Sequence, residues 1–137
     1  MTVQSGATYA IAGTSTTVTG ATDVNGTLTA STGTFDANGS FDATGANVTF
    51  TGDGRLQCES TVTSLGTLST DYGTVEYDGG TQTILADTYH HLEVDQSGTK
   101  SSAGVVHTEG DITISAGTFD MNSNNTVSYT HLRAHET

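Results

Sequence analysis

The chain has 137 residues, 33% of them apolar, with 29 Thr, 17 Gly, no Pro and a formal net charge of −12. That length suits one domain, and the negative excess argues against nucleic acid and anionic membrane surfaces as partners. A single cysteine, Cys58, excludes an internal disulfide, and no run of 18 apolar residues is present to span a membrane as a helix.

The first residues, MTVQSGATYAIAG, contain no basic segment followed by an apolar one, so they do not read as a secretory signal. The stretch TVQSGATYAIAGTSTTVTG reads instead as the middle of a repeat. Short runs of apolar alternation follow at Leu28/Ala30, Phe35/Ala37, Phe41/Ala43, Val48/Phe50 and Leu56/Cys58. They continue at Val75/Tyr77, Leu92/Val94, Ile112/Ile114 and Phe119/Met121. Each pair predicts a strand of about four to six residues, with two side chains on one face and polar residues on the other. Asn25-Gly26, Asn38-Gly39, Gly52-Asp53-Gly54, Asp78-Gly79-Gly80 and Ser97-Gly98 mark turns. The best helical candidate, Ile84–Val94, does not hold a 3.6-residue period and is rich in poor helix formers.

The chain also repeats itself. Gly26–Gly39 (GTLTASTGTFDANG) and Gly110–Ser123 (GDITISAGTFDMNS) share eight of fourteen positions at an offset of 84 residues. A third copy, Gly66–Gly79 (GTLSTDYGTVEYDG), shares six positions with the first. The steps of 40 and 44 residues are close to two turns each of a roughly 20-residue unit. Such periods predict a right-handed parallel β-helix, a β-solenoid, in which Phe35 and Phe119 join one interior column. The alternative is an antiparallel β-sandwich, which gives no reason for position-by-position recurrence. The missing proline suits long uninterrupted ladders, and a narrow solenoid interior suits the low apolar content.

Gly73–Asp78, then GTQTILADTYHHLEVDQSGTK and GVVHTEGDITISAGTFDMN, resemble repeats of large bacterial surface proteins, filamentous adhesins and autotransporter passengers. The resemblance implies a secreted or surface-anchored bacterial stalk located outside the cell. It implies neighbouring repeats of a parent chain as partners, with surface glycans or host and matrix proteins beyond them. The last residues, Val127–Thr137 (VSYTHLRAHET), resemble the translation of a transposase-type sequencing adapter. The expected organisation is therefore one solenoid segment over residues 1–126, a fragment of a longer protein, and an artefactual tail over 127–137. Excluding the tail removes His131 and His135 from any metal argument.

Candidate sites are few. Asp36, Asn38 and Asp42 offer oxygen ligands at spacings that loosely match a calcium loop, but no full twelve-residue loop is present. No other cofactor is expected. His90-His91 invites a metal reading, yet adjacent strand residues point to opposite faces, and only His107 remains outside the tail. T-x-T triplets beginning at Thr17, Thr27, Thr32, Thr49, Thr61 and Thr81 resemble ice-binding arrays, but their steps are uneven. Catalysis has little to draw on: outside the tail the permanent cations are Arg55 and Lys100, and no carboxylate pair stands out. Cys58, in an alternating strand, reads as an interior side chain. The expected function is thus a non-catalytic stalk or display scaffold. The alternative is a carbohydrate-binding or polysaccharide-active β-helix module using Tyr72, Tyr77 and Tyr89.

Overall fold

A computed structural model describes residues 1–123, 127–128 and 131–134. Every element among them is a strand, and the chain winds in three-strand coils. The first coil is β1 (Thr2–Val3), β2 (Thr8–Ile11) and β3 (Ser15–Val18). The second is β4 (Thr22–Val24), β5 (Thr27–Ala30) and β6 (Thr34–Ala37). The third is β7 (Phe41–Asp42), β8 (Asn47–Phe50) and β9 (Arg55–Cys58), and the fourth is β10 (Val62–Ser64), β11 (Thr67–Leu68) and β12 (Thr74–Tyr77). The fifth is β13 (Gln82–Ile84), β14 (Thr88–Tyr89) and β15 (His91–Val94). The sixth is β16 (Thr99–Ser102), β17 (Val106–Thr108) and β18 (Asp111–Ile114). The seventh is β19 (Thr118–Asp120), β20 (Val127–Ser128) and β21 (His131–Ala134).

All pairings are parallel, and each joins a strand to its counterpart one coil away. The parallel β-solenoid is therefore the fold, and the antiparallel sandwich is excluded. The third face is one continuous sheet of seven strands, β3 to β21, which bounds six full turns. The other two faces are each divided. The first carries β1-β4-β7-β10 and then a separate β13-β16-β19, and the second carries β2-β5-β8-β11 and then β14-β17-β20. The backbone of Val127–Ser128 and His131–Ala134 continues these ladders against β17 and β18. The remaining residues of the expected tail lie outside the described residues.

Register dictates the core. On the third face Thr16, Phe35, Leu56, Val75, Leu92 and Ile112 lie above one another, beside Val18, Ala37, Cys58, Tyr77, Val94 and Ile114. Alternation sends both columns inward, and all of these residues from Phe35 to Ile112 are buried. Phe35 meets Tyr9 and Phe41 edge-on, with ring centroids 6.2 and 6.4 Å apart, so it joins all three walls. Close approach leaves no room at some corners. Gly73 has φ +86°, and a Cβ there would lie 2.1 Å from the Phe50 ring.

One expectation is corrected. Phe119 does not stack in the Phe35 column: it pairs in register with Lys100 on the first face. The copies at Gly26 and Gly66 both run from second face to third, as β5–β6 and β11–β12, whereas the copy at Gly110 runs from third to first, as β18–β19. A ladder needs matching strand geometry rather than matching sequence, so a similar segment fits on a neighbouring wall.

Phe35→Ala removes the side chain that touches all three walls. It should cost about 3–5 kcal/mol, read as a lower denaturant midpoint, because so narrow an interior cannot collapse around the void.

Candidate functional site

Among the described residues, a group of charged side chains converges outside the third face. The same register that stacks the core stacks Thr17, Asp36, Gln57, Glu76, Glu93 and Thr113 on the outer surface. Like charges on adjacent strands repel, and two donors relieve them. Arg55 Nη1 lies 3.1 Å from Glu76 Oε1 and 2.5 Å from Glu93 Oε2, and the Gln57 amide donates to the other Glu76 oxygen. Ser115 donates its hydroxyl to Glu93 at 2.8 Å. Burial raises the Glu76 carboxyl above its usual range, with the Gln57 hydrogen bond and Arg55 opposing. Carboxylate oxygens of Glu76, Glu93 and Asp95 approach within 4.8 Å of one another. Three such oxygens fall short of the six to eight calcium prefers, and two of the carboxylates already share Arg55.

Beside this ladder, at the corner between the third and first faces, is a concavity of about 460 Å³ that includes Asp36, Asn38, Glu59 and Asp78. With its nitrogen turned toward the carboxylates, Asn38 donates to Asp36 Oδ1 at 2.6 Å and Glu59 Oε2 at 3.2 Å. Burial, then the charges of Asp36 and Glu59, raise the Asp78 carboxyl. The expected calcium ligands are not assembled here. Asp36 and Asn38 share the corner, but Asp42 does not line it; Asp42 Oδ1 accepts the Thr44 amide and hydroxyl at 3.0 and 2.6 Å. It closes a local Asx turn instead.

The three tyrosines are not a platform for sugar rings. Tyr77 and Tyr89 are fully buried, their hydroxyls 2.9 Å apart and their rings edge to face at 6.5 Å. Leu85 N donates to Tyr77 Oη at 3.2 Å, and Tyr89 Oη donates to Leu85 O at 2.8 Å. Burial raises both phenols. Tyr72 alone of the three is exposed, next to the His90 ring. Val75/Tyr77 alternation already places Tyr77 with the core.

The histidine pair also departs from expectation. The two rings lie 4.2 Å apart rather than on opposite faces, because β14 ends at Tyr89 and β15 begins at His91, leaving His90 on the corner. Both rings serve the backbone. His90 Nδ1 faces Thr70 O at 2.9 Å and must be the donor, while Asp111 N donates to His91 Nδ1 at 2.9 Å. The lone pair a metal would take at His91 Nδ1 is thus in use. His107 lies on the second face and contacts Glu109 at 3.1 Å.

The T-x-T triplets do not stack as a set: Thr27/Thr29 and Thr49 fall on the second face, while Thr17 lies on the third and Thr63 and Thr83 on the first. Thr8, Thr27, Asn47 and Thr67 form one column on the second face, at steps of 19, 20 and 20 residues, beside Ala10, Thr29 and Thr49. The array stops at β11, because β14 does not pair with it.

Two polar interior residues escaped the sequence reading. Lys100 is fully buried, and its ammonium donates to Asp95 O and Gln96 O at 2.5 and 3.0 Å, clasping a turn in which Gln96 has φ +62°. Burial lowers its pKa, with Asp95 and Asp78 opposing. Gln82 is its neighbour in register. Its side chain accepts from Gly79 N at 2.7 Å and donates to Cys58 O and Ser60 O at 2.8 and 2.9 Å. For Gln82 the signal was available, because alternation puts it on the side of Ile84; β16 (TKSS) holds no apolar residue, and only its register with Gln82 places Lys100 inside. Cys58 is interior as expected, its thiol raised by burial and the acids nearby.

The chain matches no family model, and comparison with curated proteins and with solved structures returns no significant match. Among the described residues no helix is long and apolar enough to cross a membrane.

Two outcomes are expected. Lys100→Met keeps the stem but loses the charged donor to two carbonyls, and should lower stability by about 2–3 kcal/mol in denaturant titration. His91 gives a pH signature. Burial, then the neighbouring His90, lower its pKa from 6.5, while Asp111 and Asp53 oppose and Arg55 adds. The folded state therefore favours neutral imidazole, and the unfolded chain takes up the proton first. Stability from this group is complete above about pH 6.5 and falls as the pH drops through that value. Between pH 7.5 and about 5.5 the parent chain should lose melting temperature relative to His91→Asn, whose amide oxygen also accepts.

Proposed function

We propose that this segment is a non-catalytic structural repeat of a large secreted or cell-surface bacterial protein, serving as stalk or display scaffold. The observation that carries this reading is the seven-strand parallel ladder of the third face. A stack of coils in register is stiff along its axis and extends by adding coils, with a rise of about 4.8 Å each. Six turns then contribute about 29 Å of length. The acidic exterior supports the same role, since it keeps neighbouring rods apart in solution. The polar side chains that converge on the third face are committed to one another: Arg55, Gln57 and Ser115 satisfy Glu76 and Glu93. The resemblance of about Gly66–Asn122 to bacterial surface repeats supports that cellular setting.

Deleting residues 1–123 from the parent protein, with a distal epitope retained, should bring that epitope closer to the cell by about 29 Å in cryo-electron tomography of labelled cells. Recovery of the parent from the cytosol, with no surface label on intact cells, would remove the stalk reading.

A further inference from the structure

Between the fourth and fifth coils the solenoid changes its manner of holding together. On the third face β12 and β15 pair over four residues, Thr74–Tyr77 against His91–Val94. On the other two faces β10 does not pair with β13, and β11 does not pair with β14. Elsewhere the three faces are laddered together: β4, β5 and β6 all pair with the coil before and the coil after. The corner leading into the fifth coil is also longer. β13 starts eight residues after Thr74, as β16 does after His91, whereas β4, β7 and β10 start seven after Ser15, Thr34 and Arg55. The Asp78-Gly79-Gly80-Thr81 corner leads into β13, which does not pair with β10. A groove of about 350 Å³ opens between them, lined by Ser60, Thr61, Val62, Thr81, Gln82 and Thr83 among others.

Side chains take over where the ladder stops. On the first face Gln82 donates back to Cys58 O and Ser60 O. On the second face His90 donates back to Thr70 O. In the interior, Tyr77 from the fourth coil and Tyr89 from the fifth join hydroxyls and together bind both backbone groups of Leu85. Side-chain hydrogen bonds of this kind replace only part of a cooperative ladder, and regions with fewer laddered bonds open at lower free energy than the global transition.

We propose that this seam is a joint built into the solenoid. Coils one to four and coils five onward behave as two stacks, which part on two faces while the β12–β15 ladder remains as the hinge. Under load or thermal fluctuation the seam opens first and recloses, so that the rod bends there instead of unwinding from within a stack.

Residue-resolved hydrogen exchange on the full chain tests this. Gly79 N (bonded to Gln82) and Leu85 N (bonded to Tyr77) report on the seam; Thr51 N and Ala103 N, bonded to Ala30 O and Ile84 O, report on the two stacks. The seam amides should exchange about tenfold or more faster than both stack amides. Gln82→Ala should accelerate Leu85, whose own bond it leaves intact, and Tyr77→Phe should accelerate Gly79 in the same way. Both variants should leave Thr51 and Ala103 within about twofold of the parent chain. Seam amides as slow as Thr51, or acceleration confined to the residue whose own partner was removed, would overturn the joint. So would equal acceleration at all four amides. The isosteric Tyr77→Phe keeps the test available should Gln82→Ala not fold.

Discussion

A backbone hydrogen bond from one coil to the next decides which side chains stand above one another, and most of this molecule follows from that constraint. Once Phe35 pairs with Leu56, and Leu56 with Val75, the interior becomes a set of columns rather than a globule. A column needs only one or two apolar side chains per wall, which is how a chain that is 33% apolar buries a continuous core. Size must then be complementary along the column. Ala37 and Cys58 are small beside the Phe35 region, and Tyr77 follows them as the large member of the same column. The ladder is indifferent to polarity on its outer side. It stacks Glu76 on Glu93 as readily as it stacks Val75 on Leu92, and the molecule answers with Arg55 and Gln57 at adjoining positions.

Several polar interior residues lie at or near the place where that constraint lapses, between the fourth and fifth coils. Gln82, Tyr77, Tyr89 and Lys100 all lie within or next to the fifth coil, and each satisfies backbone groups. A buried amide, phenol or ammonium without partners would be costly, so their presence marks places where the main chain lacks its own. The same logic explains His90 and His91. Two neighbouring histidines look like metal ligands until their ring nitrogens are followed to Thr70 and Asp111. Corner geometry brought the rings together, and backbone hydrogen bonding occupies them.

Much of the fold was legible because its period is written directly in the chain. Alternation at Phe35/Ala37, Leu56/Cys58, Val75/Tyr77 and Leu92/Val94 marks strands that align on one face. What the pattern cannot express is which wall a strand occupies. The GTFD segments at Gly33 and Gly117 look equivalent, yet Phe35 and Phe119 fall on different faces because the column position four coils on from Phe35 is Ile112, and Phe119 lies one strand further along. The candidate sites suffered from the same blindness. Asp36 and Asp42 are close in sequence but are separated by a corner, and Tyr77 and Tyr89 meet by turning inward from two different faces. The carboxylates that do converge, Glu76, Glu93 and Asp95, come from neighbouring coils and require the register to be known.

The wall assignment of the copies bears on how such a gene can change length. The segments at Gly26 and Gly66 occupy the same two walls, two coils apart. Unequal crossing-over between them adds or removes whole coils and returns every downstream strand to its own wall. Crossing-over between either of them and the segment at Gly110 leaves the product one wall out of phase, so that each later strand arrives where another belongs. Exchange between the first two copies thus preserves the wall of every strand, whereas exchange with the third shifts each later strand by one wall.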